Sequence, residues 1–369
     1  MKRGRWDTSA PSGLRGMCCL LPRLVGLALL LAGTAAAQPV LDAAAVPGLD
    51  TAGRAAYAAF VLTNLPRAFA IGGRSGYGQG AAATPEAARG AAGCKLYAEG
   101  LDVIWEGRPP QAVHPPGPFI SNWNYGIVPD SRYFWRGPAT AAGVVVWAHG
   151  YGAMIGTGIL ADDRGTQPSA WVRAFNNAGF DVVRFERDPN ADDRDRAPGW
   201  LADELADLRR RGYRVVVASG QSRGAWYGLQ MLRRAGLADA VIAVSPAAHG
   251  TGGGPNLTAQ YDDLRRLLDD VPPARTRLAF VQFQDDPFTG RPAGRAALIK
   301  QMRPRLGGLL IVDQPEGFRG HDGENTPQFA TRYGPCLLRF VVDPSPPASC
   351  SAPAGSPAIG MLGDGGAAR

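Results

Sequence analysis

From Gly143 to Gln314 short apolar runs alternate with segments of helical spacing, and this alternation narrows the fold more than any other feature. The run "GVVVWAHG" is apolar on successive residues, as a strand buried on both faces requires. It is followed by "PSAWVRAFNNAG" as a helix, "FDVVRFER" as a strand, "GWLADELADLRRRG" as a helix closed by Gly212, and "YRVVVASG" as a strand. The same rhythm continues through "AWYGLQMLRRAG", "DAVIAVSP", "TAQYDDLRRLLDDV", "RLAFVQFQ", "RAALIKQMRPRLGG" and "LLIVDQ". Strands separated by helices join through crossovers, so the expected architecture is α/β, a mostly parallel sheet with helices on both faces.

Within that scaffold Gly220-Gln221-Ser222-Arg223-Gly224 lies between the strand "RVVVAS" and the helix "AWYGLQML". So sharp a turn pushes the serine hydroxyl above the sheet, and a side chain at either flanking glycine would collide with neighbouring backbone. In this motif and its setting the chain resembles the α/β-hydrolase family, over roughly residues 119 to 342. The resemblance implies a serine esterase with Ser222 as nucleophile.

A serine hydroxyl is a weak nucleophile near neutral pH; it needs a base, and the base needs a third group to hold its tautomer. Four histidines are available. His114 lies in a proline-rich segment. His149 and His249 end strands, where they are candidates to brace a loop or line the cleft. His321, in "PEGFRGHDGE" after the last strand, stands where the family places its base. The acid is expected after "RLAFVQF", where "QDDPF" supplies Asp285 and Asp286. The resemblance favours Asp286, because the family's acid sits just before the turn that leaves this strand and Pro287 starts such a turn; Asp285 is the alternative. The order Ser, Asp, His is the family's. By position and resemblance, the backbone N–H groups of Tyr151 and Arg223 would form the oxyanion hole. The Arg223 side chain could clamp an anionic substrate or form an ion pair with a loop. Phe288 is a candidate for the rim of the cleft, with Tyr151 and Trp226, although Trp226 equally suits plain core packing.

No two histidines stand three or four residues apart and no Cys-x-x-Cys pair occurs, so no metal is expected. The glycines of "HGYGAMIGTG" do not keep the G-x-G-x-x-G spacing, which argues against a dinucleotide, and no cofactor is expected. Only 33 residues separate Ser245 from Leu278, too few for a large lid in addition to the helix between them.

Residues 1–37 read as a cleavable secretory signal: a basic stretch, the apolar run Leu24 to Leu31, and Ala35-Ala36-Ala37 before Gln38. The run is shorter than the about 20 residues a stable anchor needs, so no membrane anchor is expected after cleavage. The implied location is secreted or periplasmic in a bacterium. The signal carries +4 of the formal net charge of +7, which weakens a nucleic-acid reading. The remaining basic residues are interleaved with acids, as in "RFERDPNADDRDR", and suit a solvated surface. Cys94, Cys336 and Cys350 remain for an oxidising compartment, where one disulfide is expected and three pairings are open.

Residues 38–107 read as a small module, βαβ or α+β. Its strand "AFAIGGRSGYGQG", Ala-rich helix opening at Thr84-Pro85 and strand "CKLYAEGLDVIW" weakly resemble a short repeat-like module of bacterial secreted proteins. A Pro-rich linker, 108–118, and a loose tail, 343–369, complete the expected organisation around a hydrolase domain at 119–342. The expected activity is hydrolysis of a carboxylic ester or lactone of modest size through an acyl-enzyme. The alternatives are acyl transfer, or a secreted binding protein that keeps the fold without turnover. The sequence leaves the natural substrate and the oligomeric state open.

Overall fold

The structure, a computed structural model, describes residues 39–72, 75–79, 94–105, 120–121, 124–151, 154–155, 159–160, 162–249 and 256–350. The expected signal, the Ala-rich helix, the Pro-rich linker and residues 351–369 lie outside the described residues.

The main sheet has eight strands: β5 (Ile120–Ser121), β6 (Tyr125–Pro129), β7 (Gly143–Ala148), β10 (Phe180–Arg187), β11 (Val216–Gln221), β12 (Ala240–Val244), β13 (Arg277–Gln282) and β14 (Gly308–Asp313). They lie in the order β14-β13-β12-β11-β7-β10-β6-β5. The six from β14 to β10 pair in parallel, while β6 runs antiparallel to β10 and β5 antiparallel to β6. A short hairpin of β8 (Met154–Ile155) and β9 (Ile159–Leu160) is separate from this sheet. The fold is that of an α/β-hydrolase. From β7 the chain crosses to β10 on one side, then returns to β11 on the other, and such a switch point opens a crevice at the carboxyl ends of the strands.

Side chains alternate along a strand, so one apolar run can feed two cores. Val144 and Val146 of β7 enter the core on one face, and Val145 and Trp147 that on the other. The first face is covered by α3 (Ala197–Arg210), α4 (Arg223–Gln230), α5 (Leu257–Asp269) and α6 (Pro292–Gln301), through Leu201, Leu205, Tyr227, Leu264 and Ile299 among others. On the second lie α2 (Val172–Asn177) and α7 (Pro327–Val342), through Phe175, Phe329, Tyr333 and Leu337. Each such buried side chain contributes roughly 1.5–3 kcal/mol relative to exposure.

The N-terminal module is α+β, and its strand pairs among the described residues are antiparallel, unlike the parallel pair of a βαβ unit. Its helix α1 (Thr51–Phe60) is capped by Asp50, whose carboxylate accepts from the Gly53 N–H at 2.6 Å. The stretch expected as one strand is a hairpin of β1 (Arg67–Ile71) and β2 (Gly76–Gln79). Then β3 (Lys95–Glu99) pairs antiparallel to β1, followed by β4 (Asp102–Val103). The module does not stand apart. Phe134 of the hydrolase domain enters its aromatic core beside Tyr57, Phe60 and Phe69. Polar contacts join the two as well: the Leu65 N–H donates to Gln167 at 3.0 Å, the Gln167 amide donates to the Leu65 carbonyl at 2.7 Å, and Asn177 donates to the Val61 carbonyl at 2.8 Å.

Of the three open pairings the structure has Cys336 with Cys350, and Cys94 is a buried thiol. The bond holds the first residues of the segment expected to be a loose tail against α7, and Arg277 donates to the carbonyls of Phe340, Val341 and Asp343. No helix among the described residues is long and apolar enough to cross a membrane.

Candidate active site

Ser222 stands between β11 and α4 with φ 53° and ψ −117°, a conformation that costs a non-glycine residue on the order of 1–3 kcal/mol. The surroundings hold it there. Its N–H donates to the Val244 carbonyl at 3.0 Å, and its own carbonyl accepts from Trp226 (3.0 Å) and Ala247 (3.1 Å). The flanking glycines are a steric necessity: a β-carbon on Gly220 would sit 2.4 Å from the Ala148 oxygen, and one on Gly224 2.0 Å from that same atom. Helix α4 therefore starts in contact with the end of β7, which brings the loop after β7 beside Ser222. A β-carbon on Gly150 would stand 3.5 Å from the Ser222 Cβ.

His321 follows β14, and its Nδ1 lies 2.9 and 3.0 Å from the two carboxylate oxygens of Asp286. Asp286 also accepts from the Phe288 N–H (2.8 Å) and the Thr289 hydroxyl (2.9 Å). Burial works to raise its carboxyl, but the hydrogen bond and charge of His321 outweigh that and hold it below the usual carboxylate range. An ionised acceptor obliges Nδ1 to carry the imidazole proton, which leaves Nε2 as the basic atom. Nε2 is buried and has no hydrogen-bond partner among the described residues. The Phe288 ring, 4.4 Å from the imidazole between centroids, covers the pair. Asp285 points elsewhere: it is exposed, has φ 54°, and pairs with Arg319 at 3.3 Å.

Gln221 ties the serine turn to the histidine loop. Its amide donates to the His321 carbonyl (3.2 Å) and to the Asp322 carboxylate (3.1 Å).

On the other side of Ser222, the buried Arg187 at the end of β10 donates to the carbonyls of His149 (2.7 Å) and Gly150 (3.1 Å). Asp192 balances its charge, 3.2 Å from Nε, and accepts from the Tyr227 hydroxyl at 2.5 Å. The stretch 184–196 is therefore not a wholly solvated surface, since it contains this buried ion pair. His149 donates from Nδ1 to the Gly150 carbonyl at 2.7 Å, and burial, with the charge of Arg187, holds its pKa well below the ordinary value. It braces the loop as a neutral ring. The N–H groups of Tyr151 and Arg223 complete this side: the first has no backbone acceptor among the described residues, and the second, opening α4, has none within its helix.

The Arg223 side chain is 7% exposed, with its guanidinium 4.9 Å from the centre of the Tyr151 ring. It makes no hydrogen bond or ion pair among the described residues. His249 is turned to α5, 2.5 Å from Asp263 and 3.2 Å from Arg194. Trp226 lies in the core. Among the described residues no group of three or more His, Cys, Asp and Glu side chains could hold a metal ion. Gln221 and Arg187 carried no signal of their own in the sequence; the first occupies an unspecified place in the motif and the second is embedded in a charged run.

No protein-family model matches the chain, and no curated protein matches it. Among solved structures, it is similar to Est1E from Butyrivibrio proteoclasticus, with 13% identity, 60% of this chain and 98% of that one covered, and a TM-score of 0.44. It is also similar to the esterase Pf2001 of Pyrococcus furiosus, with 14% identity, 55% and 84% covered, and a TM-score of 0.38. A third is the acylaminoacyl peptidase of Pyrococcus horikoshii, with 12% identity, 58% and 38% covered, and a TM-score of 0.36.

Proposed function

We propose that the chain is a serine hydrolase, exported from the cell, that cleaves carboxylic esters or lactones of modest size through an acyl-enzyme on Ser222. The observation that carries this reading is the contact of His321 Nδ1 with both Asp286 oxygens, at 2.9 and 3.0 Å, on a loop that Gln221 joins to the serine turn. A carboxylate on Nδ1 makes Nε2 the proton acceptor, which is what a serine hydroxyl requires.

In the proposed reaction His321 Nε2 takes the Ser222 proton as Oγ attacks the ester carbonyl. The new oxyanion accepts from the N–H groups of Tyr151 and Arg223. Collapse expels the alcohol, which takes the proton from His321. Water, deprotonated by the same nitrogen, then releases the acid and frees the serine. Asp286 stays ionised and stabilises the imidazolium. The Cys336–Cys350 bond supports an oxidising compartment and thus export.

The test is labelling of the purified protein with a fluorophosphonate probe. Wild type should react, and folded Ser222→Ala should not; equally weak labelling of both would leave a fold without turnover.

A further inference from the structure

Five arginines among the described residues are buried: Arg67, Arg173, Arg187, Arg223 and Arg295. Four of them have acceptors. Arg67 donates to the carbonyls of Phe60, Thr63 and Gly100, Arg173 to that of Arg132, and Arg295 to that of Pro246, while Arg187 has His149, Gly150 and Asp192. Arg223 has none. A largely buried cation whose donors meet no protein acceptor is placed to bind an anion entering from the solvent. The guanidinium lies over the ring of Tyr151, 4.9 Å from its centre, with its donors uncommitted among the described residues.

Sheet order gives that fork a direction. Ser222 follows β11; His321 and Asp286 follow β14 and β13 on one side, and Tyr151 follows β7 on the other. The leaving alcohol must face His321, which protonates it. On the hydrolase reading the carbonyl oxygen then points to the β7 side, and the acyl chain leaves the same carbon near the Tyr151 ring and the Arg223 guanidinium, which lie 4.9 Å apart.

We propose that Arg223 makes the cleft selective for esters whose acyl part ends in a carboxylate, as in a half-ester of a dicarboxylic acid. This rests on the hydrolase reading above. The guanidinium receives the substrate carboxylate in a two-pronged hydrogen-bonded pair and fixes how far the acyl chain reaches from Ser222.

Two esters with the same leaving group and chain length test it: 4-nitrophenyl hydrogen glutarate, which carries a terminal carboxylate, and 4-nitrophenyl pentanoate, which does not. Wild type should favour the glutarate in kcat/KM by about 10- to 100-fold, mostly through KM. In Arg223→Met the ratio should fall to about one, and Arg223→Lys should keep part of it. Free glutarate should compete with pentanoate hydrolysis in wild type, a measurement that needs no variant. A wild type that hydrolyses pentanoate at least as well as the glutarate overturns the proposal, as does Arg223→Met slowing both esters equally, which would make Arg223 a brace for Tyr151. Failure to hydrolyse either ester or to label Ser222 would count against the hydrolase reading instead. Glutarate binding by calorimetry then decides: loss of binding in Arg223→Met supports the anion site, and absent or unchanged binding overturns it.

Discussion

The Arg187 guanidinium donates to the Gly150 carbonyl at 3.1 Å and to the His149 carbonyl at 2.7 Å. A trans peptide points its C=O and N–H in opposite directions, so holding the Gly150 oxygen turns the Tyr151 N–H away from Arg187. The orientation of one proposed oxyanion donor is thereby set by a side chain on a neighbouring strand, itself held by Asp192.

Arg187→Met should consequently lower kcat by about 10²- to 10³-fold, the usual cost of losing an oxyanion donor, with KM for a small ester nearly unchanged. Arg187→Lys should recover little, since a point charge cannot span two carbonyls. Steady-state kinetics on 4-nitrophenyl acetate separates the two parameters, and an effect confined to KM would reassign the residue.

Asp286→Asn should slow turnover by about 10⁴-fold, because an amide stabilises neither the right tautomer nor the imidazolium. Asp285→Asn should change it little, given that this side chain is exposed and paired with Arg319. Comparing the two variants on one ester checks the assignment, and the opposite ranking would transfer the role to Asp285.

Gly224→Ala would drive a β-carbon to 2.0 Å from the Ala148 oxygen, a backbone atom of β7 that cannot swing aside. Destabilisation of about 3 kcal/mol is expected, at the upper end for an overpacked core. Urea denaturation gives the value; a change within error would mean that helix α4 can move off β7.

Glu324 is buried close to the proposed base, and burial, reinforced by the charges of Asp322 and Asp286, pushes its carboxyl from the ordinary 4.5 up to about 8. The folded chain thus holds a proton that the unfolded chain has released. Stability is undiminished by this group below pH 4.5 and declines as pH rises toward about 8. Glu204, raised to about 7 mainly by burial, acts in the same sense. Asp286 acts oppositely: its contribution is present above the ordinary 3.8 and is lost as pH falls through its lowered value. Melting temperatures at pH 5 and pH 8.5 should show a loss in wild type that Glu324→Gln reduces. An identical loss in both proteins would remove Glu324 from the account.

By itself the sequence determined the parallel sheet and the serine turn, because both follow from local rules. Strand and helix periods are written in neighbouring residues, and the glycines at 220 and 224 answer a clash within a few ångströms of their own backbone. Tertiary structure alone decided which partner each polar group meets. Adjacent aspartates differ only in that the chain turns at Asp285, sending one carboxylate to Arg319 and the other to His321. Arg187 lies in a run that reads as charged surface, yet it is buried because β10 ends beneath the loop after β7. The same holds for the hairpin of the N-terminal module and for Cys336 finding Cys350 rather than Cys94. Local sterics depend on the neighbouring residues, whereas the partner of a buried charge or a cysteine depends on segments far apart in the chain, which meet only once the sheet has assembled.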